Sequence, residues 1–226
     1  MISSESKFNK RSLFTALMFT AIIFGLWTLY VAYCYPVFKN NLTFPALTTV
    51  NEVVRVLIFA GTTLLFLLLV TNEKPLLSLG LTTNARKGLA WGAATGLIYA
   101  SLIVGRTVFF GAENFSFKSV SIADLLTTIT VSPFIEEIAF RGFLLQKFQK
   151  VINFSAANVV TSLLFLAIHF PRWISRGGAN LLPDKGAAMV EIFILGLLLG
   201  FLFKRTNSLW ACFLLHAANN LAAVII

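Results

Sequence analysis

Charge is scarce in this chain. Only 12% of its 226 residues are Asp, Glu, Lys or Arg, while 58% are hydrophobic. A soluble domain has about 25% charged and about 45–50% apolar residues. A large soluble helical core is excluded by segment length, because several apolar runs reach the roughly 20 residues that cross a bilayer. Cysteine is nearly absent. Cys34 and Cys212 stand alone in apolar segments with no CxxC spacing, which argues against a disulfide framework or thiolate metal site and for small buried hydrophobes. No serine has a GxSxG setting, so Ser132 and Ser162 are weak nucleophile candidates. The net charge of +9 comes from basic residues scattered singly and in pairs. A phosphate-binding face would cluster them, so nucleic acid is not the expected partner; the lipid bilayer is.

What is present is a series of apolar runs. The first, LFTALMFTAIIFGLWTLYVAYCY, follows a basic start and is longer than a signal-peptide core, so it is read as a retained span. Further spans are expected over about 45–71, 88–110, 121–146, 155–171, 187–203 and 207–225. The expected fold is all-α: a polytopic transmembrane helical bundle of about seven spans, forming a single integral membrane domain over 1–226. With the N-terminus inside, ten basic residues flank the inner side, from Lys7, Lys10 and Arg11 to Lys204 and Arg205. Six flank the outer side: Lys39, Arg106, Lys118, Arg172, Arg176 and Lys185. This bias favours a cytoplasmic N-terminus.

The exceptions to the oiliness carry the chemistry. PFIEEIAFRGFLLQKF holds Glu136, Glu137 and Arg141 inside an apolar run. A charged side chain at the bilayer centre costs at least about 2.5–3.5 kcal/mol, and such residues face the bundle interior and mark function. Glu137 and Arg141 have the spacing of a helical ion pair. Glu136 is rotated by about 100° from Glu137 and is left to act elsewhere. Pro133, one turn earlier, is expected to kink the helix or leave a carbonyl unpaired. The chain's two histidines, His169 and His216, also sit in apolar segments. Phe165 and His169 share one helical face, as do His216 and Asn220. Counting ~1.5 Å per residue places Glu136 and His216 about 16 Å from the inner boundary, in a pocket under the inner leaflet.

A glutamate and a histidine converging on one water make a nucleophile, and a second histidine with an asparagine amide can stabilise the oxyanion of an attacked carbonyl. The implied chemistry is amide hydrolysis within the membrane. Glu136, His169 and His216 could alternatively hold a divalent metal such as zinc with an open water position, although HExxH is absent and Asn220 suits an oxyanion pocket better. Glu52 and Arg55, three apart, read as a structural ion pair. Gly196 and Gly200 form GxxxG, suited to close packing within the bundle. Phe109, Phe110, Trp173 and Trp210 are placed like interface anchors.

These residues resemble the three motifs of the CAAX prenyl protease and bacteriocin-processing family of intramembrane proteases (CPBP, or Abi): Glu136-Glu137-Ile-Ala-Phe-Arg141, Phe165-Leu-Ala-Ile-His169 and His216-Ala-Ala-Asn-Asn220. The motif-bearing core runs from about 120 to 226. The resemblance implies that Glu136 and His169 activate water, that His216 and Asn220 stabilise the oxyanion, and that Glu137, Arg141 and Phe165 support the site. It implies a peptide or lipidated-peptide substrate, with roles in peptide maturation or bacteriocin self-immunity, in a bacterial plasma membrane. Two other classes stay open on these residues: a non-proteolytic immunity or adaptor protein, and a transporter with a polar intramembrane relay.

Overall fold

The computed structural model describes residues 9–110, 122–177 and 185–225, and among them there are helices and connections but no strand. We label α1 Lys10–Asn41, α2 Phe44–Val70, α3 Ala85–Phe110, α4 over 122–149, α5 Phe154–Ala167, α6 Phe170–Gly177, α7 Gly186–Thr206 and α8 Leu209–Ile225. Each expected span is helical over its described residues, the fifth in two pieces. Five stretches are long and apolar enough to cross a membrane: α1, α2, α3, α5 with α6, and α7. The two that fall short are the motif bearers α4, interrupted by Glu136, Glu137 and Arg141, and α8, which is only 17 residues long.

Phenylalanine fills the centre. Phe19 meets Phe143 at 4.5 Å between ring centroids, and Phe140 meets Phe165 edge-on at 5.3 Å. Glycines set the helix spacings. A Cβ at Gly92 of α3 would fall 2.8 Å from the Ala211 carbonyl of α8, and one at Gly196 of α7 would fall 2.9 Å from the Ser162 Cβ of α5. The GxxxG pair thus serves packing inside the bundle, as expected.

Two backbone departures position the site. α4 widens into π-helical turns at Thr127–Val131 and Phe140–Leu145. The expected fifth span is not one helix: it breaks at Ile168–His169, and α6 resumes at Phe170 and runs to Gly177. Pro171 explains the break, because it has no N–H to return to the Ala167 carbonyl.

Several placements differ from expectation. Cys34 is exposed, whereas Cys212 is buried. Trp173 lines a cavity. The Trp210 indole donates to the Leu81 carbonyl at 2.8 Å. Lys7 and Lys118 lie outside the described residues, as does the Phe110 side chain.

Candidate active site

The ion pair on α4 forms as its spacing predicts. Arg141 Nη1 donates to Glu137 Oε1 at 2.8 Å, with the two side chains 1% and 0% exposed. Its other nitrogen donates to the Gly196 carbonyl at 3.1 Å, and its guanidinium lies 4.4 Å above the Phe165 ring. Glu137 also holds a histidine: His216 Nδ1 lies 2.9 Å from the same Oε1. A carboxylate engaged by arginine accepts only, so Nδ1 of His216 carries the hydrogen in that bond. Phe165 fills the space between the imidazoles, edge-on to both at 5.5 Å.

Glu136 is not left free. Arg55 Nη2 donates to Glu136 Oε1 at 2.9 Å, while Nη1 donates to Glu52 at 2.9 Å and to Ser132 Oγ at 2.6 Å. The Glu52–Arg55 pair is therefore not self-contained: it ties α2 to the glutamate of α4. Arg55 is the site residue that sequence reasoning missed. The signal was a second buried charge pair in another span, and the local spacing hid its distant partner. The other Glu136 oxygen stands 3.9 Å from His216 Nε2.

The break after α5 sets the His169 tautomer. The backbone N–H of His169 donates to the Leu166 carbonyl instead of Phe165, and the freed Phe165 carbonyl lies 2.9 Å from His169 Nδ1. A carbonyl only accepts, so Nδ1 is protonated and Nε2 offers a lone pair. The Trp27 indole takes the Ile168 carbonyl at 2.9 Å, fixing the break from α1.

Pro133 positions Asn220. In the π register of Thr127–Val131, Ser132 N–H donates to the Thr127 carbonyl. The next donor in that register would be Pro133, which has none, so the Thr128 carbonyl is free. Asn220 Nδ2 donates to it at 3.0 Å. The expectation of an unpaired carbonyl near the site is met there.

Glu136, His169, His216 and Asn220 line one cavity of about 350 Å³, together with Glu52, Arg55, Arg172 and Arg176. From mid-bundle the lining extends towards the ends of α6 and α8 and the turn between α1 and α2, away from Lys10. The residues do not fit zinc. Among the described residues no group of three His, Cys, Asp or Glu side chains is placed to hold a metal ion. Arg55 occupies one Glu136 oxygen, and a dication would sit among three guanidiniums.

The class that the fold defines is a helical membrane bundle, with polar residues converging on one cavity. Residues 118–222 match the family model described as Type II CAAX prenyl endopeptidase Rce1-like. Over that segment, a little under half of the chain, it is similar to the CAAX prenyl endopeptidases, and five described stretches are long and apolar enough to make it an integral membrane protein. No curated protein and no solved structure matches the chain.

Proposed function

We propose that the chain hydrolyses a peptide bond through one water shared by Glu136 and His169, without metal. The water gives one hydrogen bond to the His169 Nε2 lone pair and loses its other proton to the open oxygen of Glu136 as it attacks the carbonyl. The oxyanion accepts from the free amide hydrogen of Asn220 and lies against the His216 ring, whose other nitrogen is held by Glu137. Collapse of the intermediate breaks the C–N bond, and Glu136 passes its proton to the departing amine. Glu137, Arg141 and Phe165 hold the imidazoles in place.

The observation that carries this reading is the Phe165 carbonyl 2.9 Å from His169 Nδ1, which engages that nitrogen and leaves Nε2 for the cavity that Glu136 also lines. The charge bias along the chain supports a cytoplasmic N-terminus. The cavity then opens on the outer side, which suits maturation of exported peptides or self-immunity to a bacteriocin. The test is Glu136→Gln. General acid–base catalysis contributes about 10²–10⁴-fold, so cleavage of leader or lipidated peptides is expected to fall by that much in purified protein that remains folded. Unchanged cleavage would remove Glu136 from the chemistry.

A further inference from the structure

The charges around the cavity do not balance locally. Glu52 and Glu136 are both bound by Arg55, at 2.9 Å each. Arg172 and Arg176 line the same cavity, and neither has a hydrogen bond or ion pair among the described residues. Arg172 is half-buried, Arg176 exposed. The planar fork of a guanidinium matches a carboxylate, and these two forks stand at the cavity with no hydrogen-bonded anion among the described residues.

Their placement is directional. His169, Arg172 and Arg176 fall at i, i+3 and i+7 along the chain, and all three reach the cavity. The two guanidiniums are carried about 5 and about 10 Å along α6 from the histidine, at ~1.5 Å per residue. An extended peptide advances ~3.3 Å per residue. A carboxylate two to four residues from the scissile bond would therefore reach this pair while the bond lies between Glu136 and His169.

We propose that Arg172 and Arg176 form a carboxylate subsite that anchors one end of the substrate peptide across the cavity from Glu136. This rests on the peptidase reading above for the identity of its ligand. The carboxylate is either the C-terminus of the peptide or an acidic side chain, and the two are separable.

The test is binding, not turnover. The probe is a dansyl-labelled apolar octapeptide in three forms: free C-terminal acid, C-terminal amide, and amide with one glutamate three residues from the end. Binding is measured in zwitterionic detergent in the cold, with probe integrity checked by mass. A charge-assisted hydrogen bond contributes about 1.5–3 kcal/mol, so the preferred carboxylate form is expected to bind wild type at least about tenfold more tightly than the plain amide. Preference for the acid identifies the terminus; preference for the glutamate form identifies a side chain. In Arg172→Gln/Arg176→Gln the gap closes, and in Arg172→Lys/Arg176→Lys part of it returns. Equal binding of the three forms to wild type, absence of binding, or a gap that persists in the glutamine variant would overturn the subsite. Because no cleavage is needed, an active Glu136→Gln enzyme would defeat the proposed mechanism and leave this result standing.

Discussion

One oxygen of Glu137 accepts from the Arg141 guanidinium at 2.8 Å and from the His216 imidazole at 2.9 Å, in a setting with no solvent exposure of the carboxylate. Removing one partner of a buried ion pair leaves the other charge uncompensated and costs about 3–5 kcal/mol. Glu137→Gln is therefore expected to lower the melting temperature strongly as well as activity, and Glu137→Leu/Arg141→Met to recover much of the stability but no activity. A site-only role for Glu137 would leave the melting temperature unmoved. Glu73, in the connection after α2, shows the opposite regime. Its burial raises the carboxyl pKa, but the Lys147 ammonium at 2.6 Å, aided by Lys150, more than reverses this and holds it below the ordinary value. Lys147 is itself pushed below the ordinary lysine value, by desolvation first, against the pull of Glu73. The acid-side behaviour belongs to Glu73. A depressed carboxylate stabilises the fold above its unfolded pKa, and that stabilisation is lost as pH falls through the folded pKa. The melting temperature of wild type should exceed that of Glu73→Gln at neutral pH, and the difference should vanish on acidification below the usual carboxylate range. Side-chain exposure of 30% keeps the effect small. A difference independent of pH would mean that the carboxylate charge contributes nothing.

At the scale of helices, the site is built where two prolines withdraw a backbone donor. Pro133 frees the Thr128 carbonyl for Asn220, and Pro171 breaks the fifth span so that the Phe165 carbonyl can orient His169. Pro133→Ala restores the missing N–H, which competes with Asn220 for that carbonyl. A proline inside a helix costs about 3 kcal/mol, so the variant is expected to melt no lower than wild type, yet to cleave peptides about 10-fold more slowly as the amide loses its anchor. Undiminished activity would show that Asn220 needs no such anchor. The motif residues were legible in the sequence because ionisable groups in oily runs have few tolerable fates, and Glu137 with Arg141 followed from helical spacing alone. Pro133 was legible too, since its missing donor is a property of the residue. Arg55 was hidden: three residues from Glu52, it satisfies a local rule, and nothing in spacing reveals a partner 81 positions away. The break at His169 was marked only by Pro171, and a continuous 3.6-residue period masked it. Arg172 and Arg176 were counted as flanking charges because hydropathy cannot distinguish a loop from a helix that brings its arginines to a cavity.

For the molecule as a whole, the cavity and the basic N-terminal side lie at opposite ends of the bundle. Asn9, Arg11, Glu73, Lys147 and Lys150 gather around a separate cleft at one end, whereas Glu52, Arg172, Arg176, Thr128 and Asn220 line the candidate-site cavity towards the other. Orientation thus decides which compartment supplies the peptide. The ends are chemically distinct, so a single labelled cysteine reads it. Cys34 is exposed and Cys212 buried, so both are first replaced, by serine and alanine. Arg176→Cys then places a thiol at the cavity rim, and Lys150→Cys places one at the opposite end. If the N-terminus is cytoplasmic, a membrane-impermeant maleimide applied to intact cells labels the Arg176→Cys protein and reaches Lys150→Cys only after permeabilisation. The reverse pattern would place the cavity in the cytoplasm and make internal peptides the substrates. Labelling of both from outside would show that the two ends are not separated by a bilayer, contrary to the span assignment itself.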